Sequence, residues 1–150
     1  RVLFFLAIKE EFVVHMYSLV KSKEREVSYY MSPVSAGFPS PAEDFLEKQL
    51  DLNQHLIQNP ASTFIVRVTG DSMCGVGIYH GCFLVVDRSI HPYDRSIVVA
   101  VVEGEFLVKR IRFFEDGIVL FAENKSYPPI RITDDDFRVW GVVSYVIHKP

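Results

Sequence analysis

Sulfhydryl chemistry is almost missing from this chain: Cys74 and Cys82 are its only cysteines in 150 residues. Their close spacing in a turn-rich stretch gives no reason to expect a bridge, and a reducing cytosol is the simpler setting. With His80 and His91 they make a set of side chains able to hold a metal, but the spacing follows no zinc pattern, and small residues filling a loop account for them more simply. No cofactor is expected. A basic excess is also lacking. Sixteen Lys and Arg stand against 19 Asp and Glu, for a net charge of -3. Phosphate binding needs positive charge gathered on one face, so direct sequence-specific nucleic-acid binding is not expected. Long apolar runs are absent too. The opening Val2-Leu3-Phe4-Phe5-Leu6-Ala7-Ile8 follows a single basic residue and gives way at once to Lys9-Glu10-Glu11, too short for a membrane span. Because the chain opens on Arg1, Met16 is a candidate initiator, and a start at Met31 would describe an already processed form.

What the chain has in quantity is apolar surface, at 49% of residues, enough for one compact core. Up to about Pro41, apolar and charged residues mix without sustained period. That stretch ends in Ser32, Pro33, Ser35, Gly37, Pro39 and Pro41, which is linker chemistry and predicts an extended arm. Ser40-Pro41-Ala42-Glu43 then places a capping serine, a proline at the first helical position and a glutamate three residues after the cap, predicting a helix through about Leu50. Asp51-Leu52-Asn53-Gln54 predicts a second short helix, stopped near Asn59-Pro60. Beyond Ser62 short strands are expected over 64–68, 83–87, 97–102, 106–114, 118–121, 130–133 and 139–147. Glu103-Gly104 and Asp116-Gly117 mark tight hairpins. The fold class is therefore mostly β.

Two residues carry the chemistry. Ser72 lies in Gly70-Asp71-Ser72-Met73, and Lys109 in Glu105-Phe106-Leu107-Val108-Lys109-Arg110. A serine hydroxyl attacks only when a base takes its proton, and lysine serves only when neutral, which burial in an apolar setting achieves. Strand alternation puts Glu105, Leu107, Lys109, Ile111 and Phe113 on one face, so the amine shares its side with three large hydrophobes. The plain alternatives are an edge-strand lysine and a turn serine. Main-chain amides of Ser72 and Met73 are the expected donors to an oxyanion. A Ser-His-Asp arrangement from His80, His91, Asp87 and Asp94 has no spacing to support it. The basic tract Lys109-Arg110-Ile111-Arg112 alternates as a strand does, and Asp134-Asp135-Asp136 is expected to be a solvated turn.

These segments resemble the LexA/UmuD family of self-cleaving serine proteases. The resemblance runs through Ser35-Ala36-Gly37-Phe38-Pro39-Ser40-Pro41-Ala42, Asp51-Leu52-Asn53-Gln54 with Leu56-Ile57-Gln58, the Ser72 and Lys109 segments, Val85-Val86-Asp87, and Trp140-Gly141-Val142-Val143. It implies a compact LexA/UmuD-like C-terminal protease domain over residues 37–150 and an N-terminal arm over 1–36. It further implies that Ser72 is nucleophile, Lys109 general base and Ala36-Gly37 the bond cut, with Val34 filling an apolar pocket. The partners it implies are a RecA filament on single-stranded DNA and a UmuC-like polymerase subunit. The processed homodimer would join the latter as an error-prone translesion polymerase of the SOS response. A dimer is also expected from the apolar run 139–147, which would be awkward at an open sheet edge.

Several positions depart from the family pattern. Cys74-Gly75 stands where an acidic residue usually follows, and His80-Gly81-Cys82 where an acidic residue, glycine and aspartate are usual. Leu107 replaces a threonine two residues before the base. These departures keep open a catalytically silent, dimeric polymerase-accessory module. A LexA-like repressor would need a helix-turn-helix for which 36 residues are too few. A signal peptidase would need a membrane anchor and usually has proline after its Ser-Met pair.

Overall fold

The computed structural model describes residues 15–18, 26–30, 36–37, 46–133, 135 and 137–150. It is mostly β. The strands are β1 (His15–Ser18), β2 (Glu26–Tyr30), β3 (Leu46–Asp51), β4 (Thr63–Arg67), β5 (Phe83–Asp87), β6 (Ile97–Val102), β7 (Glu105–Phe114), β8 (Gly117–Phe121), β9 (Ile130–Arg131) and β10 (Arg138–Ile147). One short helix, α1 (Leu52–Leu56), follows β3. The chain forms two compact units, Arg1–Leu19 with Asn59–Pro150, and Val20–Gln58. The Ala36-Gly37 bond falls within the second unit.

The larger unit is built on an eight-stranded sheet in the order β1-β4-β5-β10-β6-β7-β8-β9. Turn chemistry dictates its hairpins. Val102 and Glu105 are paired, leaving Glu103-Gly104 as a two-residue loop with φ of 51° and 79°. Positive φ at both positions is the type I′ geometry whose twist matches that of the flanking strands. Between β7 and β8, Phe114 pairs with Gly117, whose φ is 137°. Period-two alternation then divides the apolar residues. Val66, Val68, Met73, Ile78, Leu84, Val86 and Val99 form one core cluster, and Val98, Ala100, Ile111, Leu120 and Val142 another. In β6, consecutive Val98 and Val99 therefore serve opposite faces, which is why that strand reads as a continuous apolar run.

Strand β10 lies between β5 and β6, inside the sheet rather than at its edge. The edge argument for a dimer made from 139–147 is thereby withdrawn: both edges of that strand are paired within the sheet. The register of β10 shifts between Val139 and Gly141 and again between Val143 and Tyr145. At Gly141 a Cβ would sit 2.6 Å from Val86 Cγ1, so the first irregularity coincides with a close approach only glycine permits.

The smaller unit corrects a second expectation. Leu46–Asp51 is a strand paired antiparallel to β2, not the end of a helix begun at Ser40, and residues 38–45 lie outside the described ones. A helix of some ten residues is marginal without tertiary support, and over 46–51 cross-strand pairing prevails. The neighbouring expectation holds. The Asp51 carboxylate accepts from the Asn53 and Gln54 amides at 2.8 and 3.4 Å, capping α1.

Candidate active site

Ser72 sits five residues beyond the end of β4, in a turn that leads into a short 3-10 segment, Cys74–Val76. Gly70, at φ 85°, lets the backbone reverse before it. Cys74 N donates to Asp71 O at 3.1 Å, closing the turn around the serine. Met73 is buried at 2% exposure and anchors the turn in the first core cluster. Among the described residues, no protein acceptor is found for the amides of Ser72 or Met73. Two donors side by side, beside a half-buried hydroxyl, are what an oxyanion would require.

Lys109 comes from the middle of β7, paired across β6 with Val98, which is fully buried. Only 7% of Lys109 is exposed, and its Nζ lies 2.7 Å from Ser72 Oγ, in hydrogen-bond contact. Burial holds the amine below the ordinary lysine range, because the ammonium form loses its water. The structure thus brings together the two side chains that the sequence singled out. A cleft beside them is lined by Val66, Val68, Met73, Phe106, Leu107 and Val108.

A second loop, 123–127, braces the serine turn. Glu123 N donates to Ser72 O at 2.9 Å and Gly75 N to Glu123 O at 2.8 Å. Asn124 Nδ2 donates to Asp71 O at 3.1 Å, and the Tyr127 hydroxyl to Asp71 Oδ1 at 2.6 Å. The Tyr127 ring also lies over Lys109, its centroid 5.6 Å from Nζ. Sequence reasoning overlooked this loop. Asn124-Lys125-Ser126-Tyr127 announces a turn, but nothing in its spacing says against which turn it packs.

The departures from the family pattern acquire local explanations. A Cβ on residue 75 would meet Glu123 O at 2.5 Å, so Gly75 suits the close approach of the bracing loop. Buried Cys82 accepts from Tyr79 N through Sγ at 3.2 Å, and His80 Nδ1 accepts from Gly70 N at 3.4 Å. Both cysteines are free thiols.

Other candidates resolve into structural roles. Asp87 accepts from Asn59, Ser62 and Ser89 side chains, and Asp94 from Arg112 and the Phe113 amide. Arg110 pairs with Glu123 and Arg112 with Asp94, so both arginines of the basic tract are matched by acidic side chains from neighbouring loops. Asp135 is an exposed turn residue. Ala36 and Gly37 are exposed at a bend, while Val34 lies outside the described residues. No helix among the described residues is long and apolar enough to cross a membrane.

The comparisons agree with this geometry. A family model described as Peptidase S24-like matches residues 28–144. Protein SamA of Salmonella typhimurium is 44% identical over 114 residues, covering 76% of this chain and 79% of SamA. Protein MucA of Escherichia coli is 37% identical over 126 residues, covering 83% of this chain and 86% of MucA. The LexA repressor of an Anaeromyxobacter species is 32% identical over 114 residues, 76% of this chain but 49% of the repressor. By these matches the chain belongs to the Peptidase S24-like family, serine peptidases of the self-cleaving kind, as a UmuD-like protein of the SOS mutagenesis type.

Proposed function

We propose that this chain cleaves its own Ala36-Gly37 bond with a Ser72-Lys109 dyad. The observation that carries the reading is the 2.7 Å contact between Lys109 Nζ and Ser72 Oγ, made by a lysine that is 7% exposed. Neutral Lys109 takes the Ser72 proton as Oγ attacks the carbonyl carbon of Ala36. The oxyanion is met by the amides of Ser72 and Met73. As the tetrahedral intermediate collapses, the C–N bond breaks and the Lys109 proton passes to the departing Gly37 amine. Water, deprotonated by Lys109, then hydrolyses the Ser72 ester, freeing residues 1–36 and regenerating the hydroxyl. The apolar cleft lining suits Val34, two residues before the scissile carbonyl, when an extended arm occupies it.

A tethered substrate has a high effective concentration, so restraint has to come from conformation. We infer that a RecA filament on single-stranded DNA favours the cleavable pose and shifts its population. The processed chain, residues 37–150, then forms a homodimer and joins a UmuC-like subunit as an error-prone translesion polymerase in the cytoplasm. Incubation with RecA filaments tests the first part: wild type should yield a product starting at Gly37, and Ser72→Ala and Lys109→Ala should stay intact. A wild-type chain that stays intact would favour the silent polymerase-accessory module.

A further inference from the structure

Beside the Ser72-Lys109 pair, one aromatic side chain reaches both the lysine and the residue before the serine. Tyr127 reaches Asp71, the residue before the nucleophile, through its hydroxyl at 2.6 Å, and lays its ring over the lysine at 5.6 Å from Nζ. Its loop is fixed independently by Glu123 N to Ser72 O and Asn124 Nδ2 to Asp71 O. Tyr127 N also donates to Asn124 O at 3.1 Å and Ser126 N to Asn124 Oδ1 at 3.0 Å, so the tyrosine is presented by a closed turn. Although 38% of Tyr127 is exposed, Lys109 beneath its ring is 7% exposed, and the ring face lies against the amine.

We propose that Tyr127 is a positioning residue of the dyad, its hydroxyl holding the serine turn through Asp71 and its ring shielding the lysine amine from water. The inference rests on the self-cleavage reading above. The hydroxyl and the ring do separable work. An anchored Asp71 fixes the direction of Ser72 Oγ, and small displacements of a nucleophile are costly in rate. A covered amine stays unhydrated, which favours its neutral form. The charged groups facing this corner are otherwise engaged. Glu123 pairs with Arg110, Arg67 on the cleft wall lies over the Phe83 ring at 5.9 Å, and Asp71 is the tyrosine's own acceptor. Exposed Lys125 shares the turn, and β6 presents only Val98 opposite Lys109.

The test uses the full chain in three forms, wild type, Tyr127→Phe and Tyr127→Ala, with two measurements. Self-cleavage rate is followed against pH, and the Lys109 amine is titrated by NMR through its labelled ε-carbon. Tyr127→Phe should slow cleavage about tenfold at every pH, a modest loss of alignment, and leave the lysine titration where it was. Tyr127→Ala should slow cleavage and also move the titration and the pH midpoint upward. Should the alanine variant fail to fold by circular dichroism, Tyr127→Leu with the same readouts replaces it. Equal rates in all three forms, or a uniform loss with an unmoved lysine titration in the ring-deleted variant, would overturn the proposal. If wild type itself does not cleave, the protease reading fails, whereas the NMR titration still decides whether the ring governs Lys109.

Discussion

Lys109 sets the terms at the scale of single residues. Its burial lowers its pKa, so below that value the fold carries an ammonium deprived of water. The unfolded chain binds the proton more readily, and the sign of the linkage follows: the penalty is present at low and neutral pH and fades as pH rises into the ordinary lysine range. Lys109→Met should therefore raise the urea midpoint at pH 7, with the advantage shrinking toward pH 10, while abolishing cleavage. Asp87 works oppositely. Burial pushes its carboxyl up, but hydrogen bonds from the Ser89 hydroxyl, Asn59, the Ser89 amide and Ser62 outweigh that and bring it to about 2. Its stabilisation is complete above the usual carboxylate value near 3.8 and is lost as pH falls through about 2. Asp87→Ala should cost about 2 kcal/mol at pH 7 by urea unfolding, with a smaller difference from wild type as pH falls toward 2. Of these residues, Lys109 was legible from the family resemblance, since alternation put it beside large hydrophobes but fitted an exposed edge-strand lysine as well. Tyr127 was not, since its importance comes from where a loop lands.

Among the elements, strands with local turn signals could be read directly. The bounds of β5 and β6 are those expected, and β7, β8 and β10 begin one residue earlier than expected, where pairing carries the strand to the hairpin or bulge. The strand at 46–51 was missed because its partner is set by tertiary pairing, whereas a capping box is visible in four residues. The close approach at Gly141 had no sequence signal either. Gly141→Ala drives a Cβ to 2.6 Å from Val86 Cγ1 and 3.3 Å from Asp87 O. It should destabilise by about 1–3 kcal/mol in thermal or urea unfolding, an overpacking cost. Gly75→Ala meets backbone at 2.5 Å instead. Its main effect is expected on cleavage rate, because the displaced partner, Glu123, is the residue that holds Ser72 O.

On the scale of the whole molecule, the net charge of -3 and the pairing of Arg110 and Arg112 with acidic partners leave little basic surface around β7. Gel-shift titration with duplex DNA at low salt should accordingly show no sequence-specific complex. The proposed self-cleavage instead depends on one buried amine and one hydroxyl held by separate parts of the larger unit, a loop after β4 and the middle of β7. The most direct test is mass spectrometry of the purified chain incubated alone over a rising pH series. The account predicts a fragment starting at Gly37 whose rate of appearance grows as Lys109 loses its proton, and none from Ser72→Ala or Lys109→Ala. Scission that persists in either variant, or a wild-type chain intact at every pH, would contradict it.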